Sequence, residues 1–193
     1  MILTNTYWDN RYLEGSTGWD IGYPSPPITQ YVDQLTDKNL NILIPGCGRG
    51  YEAEYLYSSG FKNVHILDFA PSSLDDFAKR VPEFPKEQLI CEDYFNYQNT
   101  FDLIIEQTFF CALQPKKRPL YASHTKQLLN KKGKVIGVLF NRNFTKTGPP
   151  FGGTAEEYKR LFSPLFSIKT LDECYNSIPP RSGNELFFIF ENS

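Results

Sequence analysis

The sequence predicts an α/β fold built on one mostly parallel sheet, with helices on both faces and an antiparallel last strand. Three observations carry this. Short apolar runs alternate with segments of helical spacing along most of the chain. A glycine-rich loop, Pro45-Gly46-Cys47-Gly48-Arg49-Gly50, separates the first apolar run from the helical segment after it. The last two apolar runs are joined only by residues 176–184, with no helix between them, and so pair antiparallel.

Residues 39–44 form the first strand, and 51–59 then carry their apolar residues at helical spacing. Gly60 closes that helix, and 63–67 form a second strand ending at Asp68. Ser72 or Ser73 caps the next helix, which runs to about Arg80 before Pro82 and Pro85 break the pattern. A third strand at 89–91 ends in Glu92-Asp93, and a fourth covers 101–106. A proline-bounded helix follows from about 116 to 129, and Gly133 separates it from a strand at 134–139. Beyond Gly148-Pro149-Pro150 and Gly152-Gly153, residues 154–162 are helical, with Thr154 as cap and Glu156 and Glu157 in the first turn. Strands at about 166–174 and 185–191 complete the order.

The chain has 193 residues, enough for one domain, read here as spanning 1–193. No apolar stretch approaches the roughly 20 residues of a membrane span, and residues 1–10 lack the pattern of a secretory signal. A cytoplasmic protein is expected, with no membrane partner. Net charge is −2, with scattered lysines and arginines, which gives no footprint for nucleic acid. Four cysteines without a C-x-x-C pair and only two histidines argue against a metal site, so none is expected. Aromatics reach 16%, and both tryptophans fall in a polar N-terminal stretch, 1–30, read as a lid.

Ligands of open α/β sheets sit beyond the C-terminal strand ends, so Gly46 to Gly50, Asp68, Asp93 and Glu106 converge there. Glycine lets the backbone approach a ligand, and an acid ending the second strand accepts hydrogen bonds from ribose hydroxyls. A dinucleotide would ask for G-x-G-x-x-G, but Tyr51 stands at the third glycine position, and no Walker A lysine follows the loop. A nucleoside without phosphates fits better, with Asp93 accepting from an adenine amino group. Aromatic faces attract a sulfonium cation by roughly 0.5–2 kcal/mol, which connects the N-terminal aromatics to S-adenosylmethionine.

The chain resembles the thiopurine S-methyltransferase family, and within it the plant-type halide and thiol methyltransferases. The resemblance rests on Trp8-Asp9 with Tyr12, Thr17-Gly18-Trp19-Asp20 with Gly22 and Pro26, the P-G-C-G-R-G loop and Leu67-Asp68. It continues through Glu92-Asp93-Tyr94-Phe95, Phe101-Asp102-Leu103-Ile104, Phe109-Phe110-Cys111-Ala112, Arg118-Pro119, Gly148-Pro149-Pro150-Phe151 and Pro180-Arg181 with Gly183. It implies a Rossmann-like, seven-stranded class I methyltransferase sheet whose aromatic N-terminal segment closes over the cofactor. By position it places Trp8, Tyr12 and Trp19 against S-adenosylmethionine, Gly46 on its methionine part with Gly48 in the same loop, Asp68 on the ribose, and Asp93 and Tyr94 about the adenine. Gln107 stands where related enzymes can have a tyrosine near the cofactor, and Phe140 where the plant enzymes carry one in the active site.

The expected reaction is in-line methyl transfer to a small soft nucleophile such as a thiol, hydrosulfide or halide, by a monomer. Thiols with a pKa near 8.5 are partly ionised at neutral pH, so no strong general base is needed. Phe110, Phe140, Arg142, Phe151 and Arg181 are the candidates around the acceptor, although core packing competes for the phenylalanines. A thiopurine or aryl thiol acceptor, a non-catalytic S-adenosylmethionine binder and a nicotinamide-dependent reductase are the alternatives.

Overall fold

In the computed structural model, which describes residues 3–193, the strands are β1 (Ile42–Pro45), β2 (Val64–Asp68), β3 (Leu89–Cys91), β4 (Phe101–Gln107), β5 (Leu129–Phe140), β6 (Ser167–Glu173) and β7 (Glu185–Glu191). They form one sheet of order β3-β2-β1-β4-β5-β7-β6. The first five pair in parallel, while β7 runs antiparallel to both β5 and β6. The strand order reverses between β1 and β4, so the crevice for a ligand opens at their C-terminal ends.

The helices are α1 (Asn5–Leu13), α2 (Pro26–Val32), α3 (Tyr51–Ser58), α4 (Pro71–Arg80), α5 (Arg118–Leu128) and α6 (Ala155–Phe162). Side chains alternate across a strand, so β1 feeds two cores: Ile42 and Ile44 join Leu56, Phe61 and Phe77 on one face, while Leu43 joins Tyr121, Phe162 and Phe190 on the other. This two-sided burial is why the central strands read as unbroken apolar runs.

Local chemistry sets several boundaries. Gly60, at φ +92°, ends α3 in a Schellman turn, with Phe61 N donating to Leu56 O and Gly60 N to Tyr57 O. The capping box of α6 pairs Thr154 with Glu157. Four expectations are corrected. Neither Ser72 nor Ser73 caps α4; its N-cap is Ala70, Pro71 preorganises the first turn, and Asp9 from α1 accepts from Ser72 N at 2.9 Å. The helix expected from 116 starts at Arg118, after a 3-10 turn over Pro115–Lys117. Gly133 lies inside β5 instead of before it, because the backbone there is gripped by Asn192 on both sides of the turn at Lys132. The first strand begins at Ile42, not 39, since Asp37 accepts from Asn39 N and holds that stretch in a turn.

Candidate active site

The C-terminal ends of β1 to β5 and the segment around α1 enclose a cavity of about 620 Å³, the size of a small-molecule site. The glycine loop reaches it through Gly46. Gly46 sits at φ +57°, and a Cβ there would lie 2.3 Å from Phe109 Cδ2, so only glycine fits both the backbone and the neighbour. Gly50 starts α3 at φ +68° with the Phe77 ring where a side chain would go.

Asp68 lines the cavity at the end of β2 and organises the loop beside it. Its Oδ2 accepts from Gly48 N at 3.2 Å and its Oδ1 from Ala70 N at 2.9 Å. Burial pushes its carboxyl up to about 6, opposed by those backbone bonds. At the end of β3, Asp93 Oδ1 accepts from Phe95 N at 3.0 Å, and the Tyr94 hydroxyl pairs with Thr125 at 2.7 Å, leaving the ring as a wall.

The opposite wall is aromatic. Trp19 makes edge contacts with Trp8 at 5.4 Å and Tyr12 at 5.7 Å between ring centroids. Burial raises the Tyr12 hydroxyl, which therefore stays protonated, close to Gly48. Polar anchors hold this wall down: Asp9 on α4, Asp20 on Arg49 at 2.9 Å, Ser25 N on Glu52 at 2.9 Å, and Arg181 Nη2 donating to Trp19 O at 2.8 Å.

Thr108 follows β4 at φ +61°, a strained position for a β-branched residue, costing about 1–3 kcal/mol. Its neighbours hold it there. Glu106, 1% exposed, accepts from Phe109 N at 3.1 Å and Phe110 N at 2.7 Å, and Cys111 Sγ donates to Thr108 O at 3.2 Å. Burial pushes the Glu106 carboxyl up to about 8. The far end of the cavity, between β4 and β5, is walled by Cys111, Phe140, Pro149 and Pro150. The proline loop is tied down by Phe151 N on Cys111 O at 2.6 Å and Arg118 Nη2 on Gly152 O at 2.7 Å.

A family model described as thiopurine S-methyltransferase matches residues 3–191. The chain belongs to that family. The protein is a methyltransferase that uses S-adenosylmethionine, as its family and fold have it. A probable thiol methyltransferase 2 of Arabidopsis thaliana is 32% identical over 184 residues, 92% of this chain and 81% of that protein. A thiopurine S-methyltransferase of Photobacterium profundum is 23% identical over 204 residues, covering 96% and 95%. Magnesium protoporphyrin IX methyltransferase from Synechocystis PCC 6803, solved with bound SAH, shares the fold at a TM-score of 0.76 and 12% identity, over 98% of this chain and 99% of that one.

Of the residues expected at the site of this methyltransferase, Trp8, Tyr12, Trp19, Gly46, Asp68, Asp93, Tyr94, Phe140 and Arg181 line the cavity. Gly48 and Gln107 line a small adjoining pocket that shares Trp19, Gly46 and Thr108 with it. Three acceptor-side expectations are corrected. Arg142 does not reach the cavity: it is exposed, bridges Gly153 through its backbone and lies over Phe144 at 4.9 Å. Phe110 is 1% exposed and packs in the core against Tyr121, Tyr158 and Phe162. Phe151 contributes its backbone to the proline loop and is not among the lining residues. Burial raises the thiols of Cys47 and Cys111, which removes both as nucleophiles. Sequence reasoning missed Thr108, whose positive φ has no local signature, and Arg11, one turn along α1 from Trp8.

Proposed function

We propose that this methyltransferase passes the methyl group of S-adenosylmethionine to a small thiol or hydrosulfide at the end of the cavity walled by Cys111, Phe140, Pro149 and Pro150. The observation that carries this reading is the make-up of that end. Among the described residues lining it, none is a carboxylate or histidine, Phe140 brings no hydroxyl, and Glu106 spends both oxygens on backbone amides. A nucleophile there arrives already deprotonated, as a thiolate does near neutral pH.

The cofactor supplies an electrophilic methyl on a sulfonium when bound. The residues present fit it. The glycine loop offers a cradle that a Cβ at Gly46 would fill, and the aromatic wall of Trp8, Tyr12 and Trp19 faces that cradle. Asp68 receives the ribose hydroxyls on lone pairs not used by Gly48 and Ala70, and Asp93 and Tyr94 hold the adenine. Gln107 Oε1, buried in the adjoining pocket and without a hydrogen-bond partner among the described residues, accepts from the ammonium of the methionine part. The wall excludes water, and the cavity holds the two reactants in line.

The reading extends to a monomer in the cytoplasm, the compartment being supported by four free cysteines. No described helix is long and apolar enough to cross a membrane. A rate series with thiols of graded pKa, set against amines of equal size, tests the acceptor. Rates that follow the thiolate fraction are expected; preferential methylation of the amines would overturn the assignment.

A further inference from the structure

The cavity contains a guanidinium that no carboxylate among the described residues pairs with. Arg11 lines it from α1, its Cζ lying 5.5 Å from the Trp19 ring centroid. Among the described residues its buried Nε has no hydrogen-bond partner, and the guanidinium no ion pair. The other guanidiniums near the glycine loop and the cavity are engaged. Arg49 pairs with Asp20 and Asp76, and Arg181 holds Trp19 O and Glu185. Lys117 lies over Phe95, on the β3 side.

A buried N–H donor on a charged group costs free energy unless something accepts from it, and a planar guanidinium matches a carboxylate best. Trp19, the ring beside Arg11, also reaches the glycine loop, with Trp19 Nε1 3.9 Å from where a Cβ of Gly48 would be. Arg11 therefore belongs to the wall above the glycine loop, not to the acceptor end at Phe140. We propose that Arg11 binds a carboxylate, namely that of the cofactor's methionine part, opposite Gln107 on the ammonium. The inference rests on the cofactor reading given above.

The test compares two ligands by calorimetry: S-adenosylhomocysteine, and its decarboxylated homologue, which keeps the ammonium and lacks only the carboxylate. For the wild type, S-adenosylhomocysteine binds about 10–100-fold more tightly than the homologue, the range of a charged hydrogen bond. In R11A that preference collapses to about twofold or less, because the homologue's affinity barely moves, and R11K recovers part of it. A preference that survives in R11A overturns the inference, while failure of the wild type to bind either ligand overturns the cofactor reading instead. Thiols with and without a carboxylate form the second arm, at saturating cofactor. Equal KM changes for both in R11A support the cofactor as the carboxylate's source, and a KM rise confined to the carboxylate-bearing thiol overturns it.

Discussion

Replacing Arg181 with lysine separates a role in holding the N-terminal wall from a role in binding the acceptor. The guanidinium spans two partners, Trp19 O at 2.8 Å through Nη2 and Glu185 Oε1 at 3.5 Å through Nη1, with its face 5.8 Å from the Phe140 ring centroid. Lysine keeps the charge beside Glu185, which is 4% exposed, but a single ammonium does not reproduce the fork. Alanine is the poorer choice. It would strand the buried Glu185 without a cation, at about 3–5 kcal/mol, and so mix a stability loss into the binding readout. Loss of a charged hydrogen bond to the Trp19 carbonyl costs about 1.5–3 kcal/mol. If the wall must be docked for the cofactor to bind, R181K raises the Kd for S-adenosylhomocysteine by up to about 10–150-fold. Calorimetry gives the Kd, hydrogen exchange reports the amides around Trp19, and thiol saturation curves give the acceptor KM. The expected result is a raised Kd, faster exchange at residues 17–22 and an unchanged acceptor KM at saturating cofactor. An unchanged Kd with a raised acceptor KM would refute the positioning role, because Arg181 would then act on the acceptor.

The ribose role proposed for Asp68 is strongest when the carboxyl is ionised and accepts from both hydroxyls, and burial sets that carboxyl at about 6, so affinity for S-adenosylhomocysteine should fall as pH drops through that value, by up to about tenfold per unit. D68N should bind weakly with little pH dependence between 5 and 8; a wild-type profile as flat as the variant's would contradict this. G46A combines a left-handed backbone, costing about 1–2 kcal/mol, with a clash against Phe109, costing about 1–3, so its Tm should drop by roughly 4–20 °C. A wild-type melting curve would show that the loop is not held as described. E106Q leaves one of the amides of Phe109 and Phe110 facing an NH₂ group, at about 1–3 kcal/mol, with turnover reduced through the displaced Thr108; denaturant unfolding and initial rates read the two effects.

Much of this architecture is legible where the controlling chemistry is local. The glycine loop announces its positive φ angles, β3 and β7 occupy the predicted residues, and the α6 cap is written in Thr154 and Glu157. Helices α1 and α2 are not legible, because α1 is only weakly amphipathic and gains its place by docking Asp9, Trp8 and Tyr12 on the rest of the fold. Arg142 illustrates a different failure. Two residues beyond Phe140, it would share that residue's face if β5 continued, but the strand ends at Phe140 and the alternation ends with it. Arg181 does line the cavity, yet its partner Trp19 lies 162 residues away, a pairing no local pattern encodes.

Methyl transfer from S-adenosylmethionine to a thiol is the reaction to be observed. Its most direct test is mass spectrometry of the purified protein incubated with methyl-deuterated S-adenosylmethionine and an aryl thiol. The deuteromethyl thioether and S-adenosylhomocysteine should form in equal amounts, both abolished by D68A. S-adenosylhomocysteine binding without any thioether, across hydrosulfide, alkyl and aryl thiols, would contradict it.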